Sequence, residues 1–228
     1  MALTITFLGH AGMLLSDGDE VVAIDPFLTG NPVATIGAKD VKCGHVVMTH
    51  GHEDHFSDAV EIAKANDAVV YGAYELATYC GEEGVARVEP GNPGGRIETS
   101  FGFVAFTQAF HSSSFKGRYM GMPCGVVVGM GGKVVYHTGD TCLFGDMKMI
   151  GELYGVDVMA VCAGDRFTMG PEHAARAAEL VGAKTAIPIH WGTWPVLAQN
   201  MSGFTPHGIN VKLMSAGDSW VVDVVRGV

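Results

Sequence analysis

Three imidazoles and a carboxylate fall within six residues in His50-Gly51-His52-Glu53-Asp54-His55. At the histidine and aspartate frequencies of this chain, the pattern HxHxDH arises by chance about once in a thousand such sequences. A polar loop that happens to hold histidines is therefore the weaker reading. Imidazole and carboxylate are donors that zinc, manganese and iron accept from proteins. The spacing also works mechanically. His50 and His52, two apart, can point the same way and grip one ion, while Asp54 and His55 can face a second.

Two ions need more ligands than one loop supplies, so the elements around the loop decide the case. The cluster follows a short apolar strand, His45 to Thr49. It precedes a helix with Asp58 as cap, Glu61 three residues on, and Ile62 and Ala65 facing inward. Open α/β sheets place ligands at strand ends, and three further candidates sit there. His111 ends the run Phe103–Phe110, Asp140 follows Val134–His137, and His190 ends Ala186–Ile189. Alone, each reads as a capping or core polar residue. With the cluster upstream, they read as ligands.

The chain has 228 residues, 48% hydrophobic and 17% charged, with a net charge of −10. That composition can fill a core and excludes a disordered chain. The acidic balance argues against a general nucleic-acid surface. No apolar run approaches the roughly 18 residues of a membrane span, and Met1-Ala2-Leu3-Thr4 lacks the basic start of a signal peptide. The 5 cysteines are widely spaced and form no CxxC pair, so a reduced, cytoplasmic protein is expected. Cys142, close to Asp140, has no dedicated histidine base and reads as packed. His45, His137, His173 and His207 read as structural or surface residues.

Strands dominate the first part. Leu3–Leu8 breaks at Gly9-His10-Ala11-Gly12, Met13–Leu15 resumes, and Asp17-Gly18 turns the chain into Glu20–Asp25. Further strands are expected at Ala68–Tyr71, Arg96–Phe110, Val126–Val128, Lys133–Tyr136, Val158–Cys162, Lys184–Ile189 and, at an edge, Trp220–Val225. Helices are expected at Tyr74–Tyr79 and at Pro171–Val181, with Gly182 just past its end. Continuous apolar strands alternating with helices imply sheets covered by helices. With no repeat and no linker, one domain over 1–228 is expected. The glycine-rich stretch 91–95 is followed by a strand rather than a helix, and Gly131-Gly132-Lys133 lacks the first glycine spacing and the Ser/Thr of a phosphate loop, so both read as turns.

HxHxDH, then His, Asp and His in that order, resembles the metallo-β-lactamase superfamily over essentially the whole chain. Leu8-Gly9-His10-Ala11, Ile24-Asp25-Pro26-Phe27, Thr138-Gly139-Asp140-Thr141, Thr168-Met169-Gly170-Pro171 and Pro188-Ile189-His190-Trp191-Gly192-Thr193 look like a branch of metal-dependent hydrolases. That branch is related to ascorbate-6-phosphate lactonase and to N-acyl-phosphatidylethanolamine phospholipase D. The resemblance implies an α/β (α+β) fold, an αββα four-layer sandwich with metals at one rim. It implies His50, His52 and His111 on one ion, Asp54, His55 and His190 on the other, and Asp140 bridging. Glu53 falls at a variable position. Di-iron relatives carry Glu where this chain has His52, together with a flavin domain that 228 residues leave no room for.

The implied enzyme is a binuclear metal-dependent hydrolase. Between two ions roughly 3.5–4 Å apart, a water loses its proton near neutral pH and attacks an ester-like bond, phosphodiester or lactone, in a small molecule. Asp54 is the expected catalytic residue, steering that water and relaying its proton. His10 is a second catalytic candidate, contacting substrate or leaving group, and also reads as a polar residue at a glycine turn. Asp25 reads either as the acceptor that fixes a ligand histidine or as a turn residue before Pro26. Ser112–Ser114, Lys116, Arg118 and Trp191 are candidates for shaping the pocket, with Lys116 or Arg118 suited to phosphate or simply exposed. Zinc suits the histidine-rich ligand set, and manganese or iron is also compatible. The alternatives are a mononuclear-iron oxygenase or thiolesterase on the same fold, and a non-catalytic metal-binding protein. A nuclease would be expected to carry a substrate-gripping arm, and none is read here. The partner expected is a small-molecule substrate, without nucleic acid or membrane; a homo-oligomer is compatible.

Overall fold

Turn chemistry builds the first sheet. In the structure, a computed structural model describing residues 2–222, strands β1 (Thr4–Gly9), β2 (Gly12–Ser16) and β3 (Val21–Ile24) form an antiparallel meander. The Asp17 carboxylate accepts the Asp19 and Glu20 amides and so sets the β2–β3 turn. Strands β4 (His45–Val47), β5 (Val69–Ala73) and β6 (Arg87–Gly91) continue in parallel. Parallel pairs need crossovers, supplied here by α1 (Glu53–Phe56), α2 (Ala59–Asn66) and α3 (Tyr74–Glu82).

The second sheet repeats that plan. Strands β7 (Arg96–Thr99), β8 (Gly102–Gln108), β11 (Cys124–Met130) and β12 (Lys133–His137) are antiparallel neighbours, with a small β9 (Ser114–Phe115)–β10 (Arg118–Tyr119) hairpin on the connection. Then β13 (Val158–Cys162), β14 (Thr185–Ile189) and β15 (Asn210–Val211) add in parallel, through α4 (Met147–Tyr154) and α5 (Pro171–Val181). The last described strand, β16 (Ser219–Val221), returns to pair with β1. Among the described residues, seven strands per sheet, with helices on the outer faces, give the αββα sandwich. Strands β4, β11 and β13 are buried along their whole length, as strands covered on both faces must be.

Several elements depart from expectation. The stretch 96–110 is a hairpin folded at Ser100-Phe101, not one strand. Strand β6 and helix α4 were not among the expected elements, although α4 is amphipathic and buries Met147 and Ile150. Ala65 is exposed, and α2 buries Ala59, Ile62 and Ala63 instead. Asp58 stands at the start of α2 without capping it, because its carboxylate accepts the amides of Leu28 and Thr29 at 2.7 and 2.8 Å. Cys142 is exposed rather than packed. Positions 223–225 of the expected edge strand lie outside the described residues. Among the described residues, no helix is long and apolar enough to cross a membrane.

Candidate metal centre

The chain between β4 and α1 carries the histidine cluster to the rim where the two sheets meet. Gly51 is required there, since a Cβ would collide with Met120. The rim is stitched across the sheets: Cys124 N–H donates to the Thr49 carbonyl at 2.9 Å, and His137 Nε2 donates to Ala11 O at 2.9 Å. His137 is fully buried and structural, as expected; His45 is also buried, and His173 and His207 are exposed.

All seven expected ligands converge there. The Nε2 of His50 is 3.1 Å from Nδ1 of His52, and these atoms form one compact group with His111. Asp54, His55 and His190 form a second group, which His10 joins. Asp140 lies between, with one oxygen 3.9 Å from His50 Nε2, 3.5 Å from His111 Nε2 and 3.1 Å from His190 Nε2. Its other oxygen is 3.4 Å from His55 Nε2. His55 Nε2, both ring nitrogens of His190 and Asp140 Oδ1 are buried without a hydrogen-bond partner. Orphaned buried donors and acceptors are costly; of these, His55 Nε2, His190 Nε2 and Asp140 Oδ1 face the cluster and fit metal ions.

Electrostatics point the same way. Burial disfavours charge on Asp140, yet His190 and His55 hold its pKa well below the usual carboxylate range. Burial also pulls His190 down, but Asp140 and Asp54 outweigh it and raise its pKa to about 9. Burial opposes charge on His55 too, and Asp140 with Asp25 lifts it well above the ordinary imidazole value. Without metal, protons on these rings occupy the place that suits divalent cations.

Asp25 resolves into the first of its two readings. It is fully buried, and Oδ1 accepts the Thr49 amide at 2.8 Å. Oδ2 accepts the Thr49 hydroxyl at 2.5 Å and His55 Nδ1–H at 2.7 Å. With its proton on Asp25, the Thr49 oxygen accepts from His50 Nδ1, 3.0 Å away. One carboxylate thus turns the Nε2 lone pairs of both His50 and His55 inward. Its three hydrogen bonds leave it no role as a ligand, although it lies near both rings.

A family model described as "Beta-lactamase superfamily domain" matches residues 21–191. A curated relative from Geobacillus thermodenitrificans, named UPF0173 metal-dependent hydrolase, is 45% identical over 95% of this chain and 99% of its own length. The chain belongs to that family of the metallo-β-lactamase superfamily. The metallo hydrolase Igni18 from Ignicoccus hospitalis superposes with a TM-score of 0.88 at 30% identity, covering 98% of this chain and all 100% of its own. An isothiocyanate hydrolase from Delia radicum gut bacteria shares the fold, with a TM-score of 0.77 at 17% identity over 97% of this chain and 100% of its own.

In this metallo-β-lactamase family member, His10 is more than a turn residue. It is 1% exposed, with left-handed backbone (φ 57°), and its carbonyl accepts the amide of His190, which is also left-handed (φ 63°). Strain of this kind persists only where surrounding structure enforces it. Gly164 permits the close approach, since a Cβ there would collide with the His190 carbonyl. His10 Nε2 is 3.1 Å from Asp54 Oδ2, and Nδ1 is 2.8 Å from the Thr193 hydroxyl. A carboxylate only accepts, so Nε2 carries the proton and Thr193 donates to Nδ1. Burial and the nearby His190 hold the His10 pKa down at about 4. His10 therefore presents Asp54 with an N–H and has no lone pair left for an ion.

Other candidates sort by position. Ser112 Oγ reaches His52 Nε2 at 3.2 Å, Ser113 Oγ accepts the Gly51 amide, and Trp191 lines a cleft with His10. Arg118 instead pairs with Glu82, and Lys116 lines a separate groove beside Phe56 and Tyr79. Thr49 and Thr193 stood in stretches singled out in the sequence but without a role, and Trp194 was not singled out at all. Thr193 meets His10 across 183 positions of chain, a pairing no local pattern encodes.

Proposed function

We propose that this chain, as one domain, hydrolyses an ester-like bond, phosphodiester or lactone, in a small cytoplasmic molecule, using two divalent ions of which zinc suits the ligands best. The single observation behind this reading is the convergence of four imidazoles, His50, His55, His111 and His190, within 3.9 Å of Asp140, with His55 Nε2, His190 Nε2 and Asp140 Oδ1 buried and unpartnered. His50, His52 and His111 would hold one ion, Asp54, His55 and His190 the other, and Asp140 would bridge them. Bound there, the ions would activate a water and polarise the oxygen of the bond under attack.

The chain's own groups do the rest. Asp25 holds His50 and His55 with Nε2 facing inward. Asp54 is 27% exposed while Asp140 is 3% exposed, so Asp54 is the carboxylate through which a proton reaches solvent. His10, braced by Thr193, fixes Asp54 Oδ2 and leaves the other oxygen to take that proton. Asp54 and His190 both standing at the rim favours two ions over the single-iron oxygenase or thiolesterase.

The test is hydrolysis of bis(p-nitrophenyl) phosphate, a γ-lactone and a thioester by metal-reconstituted protein, against Asp54→Ala prepared identically. Turnover of a phosphodiester or lactone, lost in the variant, supports the proposal. Metal bound without turnover of any of the three would leave a metal-binding protein.

A further inference from the structure

Two clefts flank His10. One, of about 350 Å³, runs to Asp54 between Phe27 and Trp194, with Thr29, Gly30 and Glu53 at its edge. The other, of about 370 Å³, is walled by Phe7, Val33, Trp191 and Met214. Both are mostly apolar, as small-molecule sites are. The ring of Trp194 stands 4.8 Å from that of His10 and 5.9 Å from that of Phe27.

The walls of the first cleft are fixed in place. Asp58 accepts the Leu28 and Thr29 amides, and Asn31 donates to the Phe27 carbonyl. On the other side, the Trp194 carbonyl accepts Leu197 N–H and Gln199 Nε2. Walls ordered in advance keep the entropic cost of binding low.

The charge of these clefts is one-sided. Glu53 and Asp54 are the ionisable residues of the first, His10 of the second, and among the described residues no Lys or Arg lines either. The two cations nearest in sequence to the His111 loop are committed elsewhere, Arg118 to Glu82 and Lys116 to the groove beside Phe56. Short of the ions themselves, an anionic substrate would pass Glu53 with no side-chain cation to pair its charge, and selection against a ligand works through such repulsion.

We infer that the cleft between Phe27 and Trp194 is the substrate subsite and that it takes an uncharged ester with an apolar arm, in preference to a phosphate diester anion. This rests on the hydrolase reading above and narrows it.

The test uses metal-loaded protein and four p-nitrophenyl esters, whose shared leaving group gives one readout. Diethyl p-nitrophenyl phosphate against bis(p-nitrophenyl) phosphate varies charge, and p-nitrophenyl octanoate against acetate varies the apolar arm. Comparing kcat/KM ratios between proteins cancels the intrinsic reactivity of each ester. Glu53→Gln is expected to lower the triester-to-diester ratio about fivefold, the size of a like-charge repulsion across about 4 Å screened as in bulk water. Trp194→Ala is expected to lower the octanoate-to-acetate ratio about tenfold, while Trp194→Phe keeps most of it. Both ratios staying within about twofold in the variants, at equal metal content and melting temperature, would overturn the inference. If wild type turns over none of these esters, nor the γ-lactone and thioester above, the hydrolase reading fails. The subsite then stands or falls on fluorescence, where 5-phenyl-2-pyrrolidinone should quench emission saturably in wild type and not in Trp194→Phe. Equal quenching in both, or none, would overturn it.

Discussion

Asp25→Asn replaces one carboxylate by its near-isostere, and the structure dictates two outcomes. If the amide oxygen takes the Oδ2 place, the bonds from Thr49 Oγ1 (2.5 Å) and His55 Nδ1 (2.7 Å) survive. The NH2 group then confronts the Thr49 amide, two donors at about the 2.8 Å now spanned by a hydrogen bond. If the amide turns over, NH2 donates to Thr49 and to His55, both of which must become acceptors. Thr49 then donates to His50 Nδ1, so His50 and His55 each carry the proton on Nε2, pointing at the ions. Losing a charge-assisted bond and stranding a buried donor costs about 2–4 kcal/mol of stability. Removing the group that orients a ligand typically costs about 10–100-fold in metal affinity, and here both histidine groups share it. The assay is zinc titration against a chelator of known affinity, with calorimetric melting of metal-free protein run in parallel. Both ions should weaken and the metal-free protein should melt lower. Two ions bound with wild-type affinity in Asp25→Asn would refute the tautomer argument.

Three further outcomes follow from the same geometry. His10→Phe should keep both ions yet lose about 10–100-fold in kcat, because Asp54 loses its N–H; loss of an ion on elemental analysis would make His10 a ligand instead. Because His190 has its pKa raised to about 9, it stabilises metal-free protein fully below its unfolded value near 6.5, and that stability is lost as pH rises through about 9. Zinc binding at pH 7.5 should accordingly release protons, which calorimetry in buffers of differing ionisation enthalpy measures; no release would contradict a protonated His190. Gly164→Ala should destabilise by about 2–4 kcal/mol and weaken metal binding, since its Cβ would collide with the carbonyl and ring of His190; wild-type melting and metal content in that variant would show the contact to be dispensable.

The candidate ligand set was legible because its information is local. HxHxDH declares itself within six residues, and His111, Asp140 and His190 each follow a strand that apolar pattern marks. Continuous apolar strands alternating with helices implied sheets covered by helices, and the αββα sandwich itself came from the resemblance to the metallo-β-lactamase superfamily. What escaped is set by tertiary contact. Asp58 reads as a helix cap, but two amides of the 26–30 loop compete for its carboxylate and win. Ala63 and Ala65 are equivalent in a sequence, and only the packing of α2 on the sheet chooses between them. The Thr49 hydroxyl, the Thr193–His10–Asp54 chain and the Phe27–Trp194 walls join residues far apart in sequence. Exposure of Cys142 has the same origin, since the loop after Asp140 faces outward.

The central claim is that Asp140 lies between two ions held by separate histidine groups. Anomalous diffraction at the zinc edge from crystals of reconstituted protein tests it directly. The account predicts two peaks on either side of Asp140, one among His50, His52 and His111, the other among Asp54, His55 and His190. A single peak at full zinc occupancy, or a second peak coordinated by His10 Nε2, would contradict it.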